Sequence, residues 1–65
     1  MLENDPPPGT QVRMVREVKK ARTGNIAKLV RAVLKYDMER PEDEFIIEFE
    51  GEQITVQRRD IEKAL

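Results

Sequence analysis

Eight cationic side chains, Arg13, Arg16, Lys19, Lys20, Arg22, Lys28, Arg31 and Lys35, fall between positions 13 and 35 of this chain. Guanidinium and ammonium groups at that density meet one of two anions, the carboxylates of a protein or the phosphates of a nucleic acid. Phosphate contact needs only positive charge within reach. Holding bases also needs aromatic faces to stack them, and Tyr36 is the sole aromatic near this segment. The second group able to do chemistry is the acidic run Glu42-Asp43-Glu44. A hard cation requires several oxygens that converge, whereas successive strand residues point to opposite faces, and the spacing is not that of a calcium loop. These carboxylates are expected to be solvated or paired across strands.

Missing residue types exclude most other chemistry. The chain has no Cys, His, Ser or Trp. Thiol–imidazole and hydroxyl–imidazole nucleophiles cannot be assembled, and a transition metal would lack its usual nitrogen and sulfur ligands. Gly9, Gly24 and Gly51 lie too far apart to form a phosphate-cradling loop. Carboxylates are plentiful, but 65 residues enclose little volume in which to shift their pKa values. The chain is therefore expected to bind rather than catalyse, with no cofactor.

The elements that must carry these charges can be read from hydrophobic period and turn chemistry. Glu44-Phe45-Ile46-Ile47-Glu48-Phe49 alternates, Glu50-Gly51 supplies a turn, and Glu52-Gln53-Ile54-Thr55-Val56-Gln57 alternates again. A two-residue loop sets Phe49 opposite Glu52, Ile47 opposite Ile54 and Phe45 opposite Val56, with Glu48–Gln53, Ile46–Thr55 and Glu44–Gln57 on the other face. Extended outward, the pairing brings Asp43 near Arg58 and Glu42 near Arg59. Slipping by one residue would scatter the apolar set, so this hairpin is well specified. Val12–Val18 reads as an opening strand whose alternation breaks near Val15, and Lys19–Asn25 as a basic loop.

Residues 26–37 admit two readings. Ile26, Leu29, Val30, Val33 and Leu34 fit a helical stripe, while Ile26, Val30, Ala32, Leu34 and Tyr36 fit one face of a strand. A helix would carry Lys28 in its first turn and Asp37 with Glu39 in its last, against the macrodipole at both ends. That placement and the Val/Ile content favour the strand. The fold expectation is mainly β, a small barrel of four or five strands. Its alternative is α+β, with a helix over 25–38 packed on a three-stranded sheet. Asp60-Ile61-Glu62-Lys63-Ala64-Leu65 reads as a short closing helical turn, capped by Asp60 and with Ile61 and Leu65 on one side.

Organisation follows from composition. Residues 1–11, with Pro6-Pro7-Pro8 and Gly9, read as a disordered Pro-rich tail, and 12–65 as one small domain. The acidic opening Met1–Asp5 lacks an apolar run and no stretch is long enough to span a membrane, so cytoplasm is the expected compartment. Net charge is −1, but it is divided unevenly. Residues 13–40 hold nine Lys or Arg against three acids, and residues 41–65 hold eight acids against three bases. Such a split marks either an electrostatic docking face or a solvated surface with internal pairing.

The Gly9-Thr10-Gln11-Val12-Arg13 opening, Gly24 leading into Ile26–Tyr36, the hairpin 44–57 and the closing Asp60-Ile61-Glu62 together resemble the small SH3-like barrels. These include the accessory subunits of photosynthetic electron-transfer complexes. Such barrels usually carry more aromatic residues on the binding face than Tyr36, Phe45 and Phe49. The resemblance implies a rigid non-catalytic module that docks onto a larger assembly. Two functions follow as expectations. One is a protein-interaction module, an accessory or regulatory subunit using its charged surface and an exposed Ile46 on the outer hairpin face. The other is a small nucleic-acid-binding regulator using the basic segment 13–35.

Overall fold

The computed structural model describes residues 6–33 and 44–64. They form five antiparallel strands: β1 (Gln11–Met14), β2 (Ile26–Val33), β3 (Glu44–Phe49), β4 (Glu52–Gln57) and β5 (Ile61–Lys63), with a 3-10 turn at Arg58–Asp60. One sheet contains them all in the order β4-β3-β2-β1-β5. The mainly-β reading of the sequence holds, and the helical alternative for 26–37 does not, because β2 occupies its first part. Leu34–Asp37 of that stretch and the extended pairs Asp43–Arg58 and Glu42–Arg59 lie outside the described residues.

The β3–β4 hairpin takes the register that alternation demands, with Phe49 opposite Glu52, Ile47 opposite Ile54 and Phe45 opposite Val56. Both turn residues have positive φ, 52° at Glu50 and 80° at Gly51. That is the signature of a type I′ turn, whose twist matches the strands it joins. Gly51 adopts this conformation freely, but Glu50 does so against its Cβ.

β2 is more irregular. Leu29 pairs with Ile47 and Arg31 with Ile46, which leaves Val30 as the extra residue of a bulge. A bulge reverses the inward phase of a strand. Ala27 and Leu29 face the core before it, and Ala32 packs against the core after it. The expected face of Ile26, Val30 and Ala32 is thereby corrected, and Ile26 is 46% exposed.

The core consists of Val12, Met14, Ala21, Ala27, Leu29, Phe45, Ile47, Ile54, Val56 and Ile61. Ile61 comes from one edge strand and Ile54 and Val56 from the other, yet all lie in one cluster. A sheet curled on itself brings its two edges to the same interior, so the domain is small, mainly β and barrel-like.

The chain ends differently from the sequence expectation. In place of a helical turn from Asp60, the 3-10 turn ends at Asp60 and Ile61–Lys63 pair with β1, Met14 opposite Ile61 and Val12 opposite Lys63. A single turn of helix over 60–65 has little stability of its own, whereas Ile61–Lys63 complete a ladder that β1 already offers. Asp60 still caps a backbone donor, its Oδ2 accepting from the Gln57 N–H at 2.8 Å. At the other terminus, the Gly9 N–H donates to the Leu29 carbonyl at 2.7 Å and the Leu29 N–H to the Thr10 carbonyl at 2.8 Å. The domain's hydrogen bonding thus begins ahead of the Val12 boundary drawn from the sequence.

Candidate interaction surface

Residues 15–25 join β1 to β2, and nearly every turn of this connection is tied down. Val18 and Ala21 donate to each other's carbonyls at 2.8 and 3.0 Å, closing a turn with Lys19 and Lys20 at its tip. Ala21 is fully buried in the barrel core, and Val18 packs against that core. A second turn follows, in which the Asn25 N–H donates to the Arg22 carbonyl and the Asn25 Oδ1 accepts from the Arg22 N–H, both at 2.9 Å. The Gly24 N–H reaches the Met14 carbonyl at 2.8 Å and the Val15 N–H the Asp60 carbonyl at 2.9 Å. A connection held by the backbone donors of Val15, Val18, Ala21, Arg22, Gly24 and Asn25, with Ala21 seated in the core, has less freedom left to lose than an open loop.

Four of the predicted cations come together on this connection: Arg16, Lys19, Lys20 and Arg22, all exposed. Lys20 reaches across to β4, its Nζ 3.1 Å from Glu52 Oε1. Among the described residues, no ion pair engages Arg16, Lys19 or Arg22. Lys19 holds φ at 54°, which few residues with a side chain adopt.

The other candidates lie on the outer face of the sheet and are interleaved with acids. Arg13 sits opposite Glu62 and donates to its Oε2 from Nε, at 2.7 Å, and from Nη2. Lys28 stands between Gln11 and Glu48 in the cross-strand row. Arg31 is opposite Ile46 and turns back to the Ala32 carbonyl at 3.3 Å. Lys35 lies outside the described residues. The basic segment is thus two separate groups, a loop cluster of one sign and a sheet face of mixed sign.

Ile46 is half-buried rather than exposed, flanked in register by Arg31 and Thr55. Among the described residues, the exposed large apolar side chains are instead Val15, at 40%, and Ile26, at 46%, at the two roots of the β1–β2 connection. Sequence reasoning passed over Val15 and set Ile26 on the inward face. The break in alternation at Val15 was the available signal, because a Val just past the end of a short strand has no ladder to bury it.

A shallow groove of about 470 Å³ runs between Gly9, Gln11, Lys28, Glu48 and Phe49. It carries both signs of charge and no convergent set of polar groups. Among the described residues no His, Cys, Asp or Glu cluster is suited to a metal ion, and no helix is long and apolar enough to cross a membrane. Compared with protein-family models, with curated proteins and with solved structures, the chain matches none.

Proposed function

We propose that this chain is a non-catalytic protein-interaction module, a cytoplasmic accessory or regulatory subunit that docks onto a larger complex. The docking element is the β1–β2 connection, and its partner is an acidic protein surface. One observation carries the reading: Ala21 is seated in the core, so Arg16, Lys19 and Arg22 project from a backbone already fixed before any partner arrives. A pre-ordered loop loses little entropy on association, and guanidinium groups are among the best anchors for carboxylates. Val15 and Ile26 add apolar area at the loop's roots, the mixture of anchor and apolar contact that protein interfaces use.

The nucleic-acid reading is weaker because its cations are partly engaged. Arg13 is paired with Glu62 and Lys20 with Glu52, and Lys28 stands beside Glu48. A phosphate track needs positive charge that is unopposed along its length.

The test is co-purification of the full chain from native extract, beside a Lys19→Glu/Arg22→Glu variant. Lys20 is left unchanged, since its reversal would set two carboxylates together at Glu52. A stoichiometric partner that the variant loses, at an unchanged melting temperature, supports the reading. An equal yield from both chains, or salt-sensitive binding of a duplex oligonucleotide by the wild type alone, contradicts it.

A further inference from the structure

We infer that the free edge of β4 is a self-pairing surface, through which two copies of this chain join their sheets antiparallel about a two-fold axis. β4 and β5 are the two ends of the strand order, so among the described residues each has a ladder partner on one side only. They differ in how the open side is treated. β5 is three residues long and carries Glu62 and Lys63, and short charged strands pair poorly with strangers. β4 is six residues long, has no Pro, Lys, Arg or bulge, and exposes Gln53, Thr55 and Gln57. Protection is confined to its ends, where Lys20 pairs with Glu52 and Asp60 covers the Gln57 N–H, and its middle residues Gln53 and Thr55 carry no blunting device.

The phase of β4 can be fixed from one hydrogen bond. The Gln57 N–H donates to Asp60 Oδ2, away from β3. Alternate residues of an antiparallel strand direct their backbone groups to the same side, so the N–H and C=O groups of Gln53 and Thr55 also point outward. Those of Ile54 and Val56 make the ladder with β3.

This pattern is complementary to its own rotated copy. With the axis at Ile54, Gln53 of each copy lies opposite Thr55 of the other, and the two residues exchange hydrogen bonds in both directions. Ile54 lies opposite itself and Glu52 opposite Val56, so no like charges meet. An axis at Thr55 would instead oppose Gln53 to Gln57, whose N–H is already held by Asp60, and would leave the Gln53 carbonyl without its donor. Asp60 therefore selects the register as well as capping the strand. The surface touches the β1–β2 connection where Lys20 pairs with Glu52, and it needs no other partner.

Sedimentation equilibrium of the full chain, combined with amide hydrogen exchange at low and high protein concentration, tests the pairing. The expected result is a monomer–dimer equilibrium in which the Gln53 and Thr55 amides gain protection as concentration rises. The Ile54, Val56 and Gln57 amides should be protected at both concentrations. Thr55→Lys, at an exposed site, is expected to weaken the dimer by about tenfold or more. Thr55→Pro should do the same, because it removes an outward N–H that β3 does not use. A chain that stays monomeric at millimolar concentration, that forms closed rings larger than a dimer, or that dimerises equally well with both substitutions overturns the inference.

Discussion

Val18 and Ala21 hydrogen-bond to each other in both directions, at 2.8 and 3.0 Å, and that closure holds Lys19 outward at a φ of 54°. The bend is maintained from below, because Ala21 is fully buried among strand residues. Conformational strain at a loop tip persists only when the surrounding structure over-determines it, and here the burial of Ala21 supplies that constraint. The cations on this connection are consequently presented by the same core that stabilises the fold.

Lys19→Gly separates the two roles of this position. Glycine adopts a φ of 54° without steric cost, so the variant is expected to be as stable as the wild type or more stable by up to about 1 kcal/mol. Partner affinity should nevertheless fall, since a cation is lost. Urea denaturation and a binding titration on the same preparation check both halves; a joint fall in stability and affinity would show that the φ is not costly here.

Ala21→Leu tests whether the loop is seated in the core. Ala21 is fully buried, and overpacking a buried site of this kind costs about 1–3 kcal/mol. Thermal unfolding should register the loss, and the Val18 and Ala21 amides should lose exchange protection before those of β3. Wild-type stability would mean that the connection is not anchored at this residue.

Glu50→Asn is expected to stabilise the β3–β4 hairpin. Both turn positions have positive φ, and Asn tolerates the left-handed region better than Glu. A gain of roughly 0.5 kcal/mol in chemical denaturation is the expected size.

Asp60→Ala removes the acceptor of the outward Gln57 N–H. A hydrogen bond to a charged group contributes about 1.5–3 kcal/mol, so the variant should unfold at lower urea, and Asp60→Asn should recover part of the loss. Equal stability of all three chains would show that water replaces the carboxylate without cost.

Local rules made some elements legible in the sequence and left others hidden. The β3–β4 hairpin was readable down to its register, because alternation on both strands and Gly51 in the turn agree with one another. The inward face of β2 was not. The bulge at Val30 reverses the phase midway, and nothing local to Leu29-Val30-Arg31 announces it. β5 was hidden for another reason: Ile61 and Leu65 have helical spacing, but pairing with the distant Val12 and Met14 decides the conformation. For the candidate surface, residue types were readable and their grouping was not. Arg16, Lys19, Lys20 and Arg22 are close in sequence and stay together. The engagement of Arg13 by Glu62 and of Lys20 by Glu52 depends on contacts between residues far apart in the chain.

Chemical-shift mapping of the labelled full chain against its co-purified partner tests the docking account most directly. Perturbations should gather on Val15, Arg16, Lys19, Arg22 and Ile26, and should vanish in the Lys19→Glu/Arg22→Glu chain. A footprint on the outer face of β3 and β4, or one reproduced by an oligonucleotide alone, would contradict it.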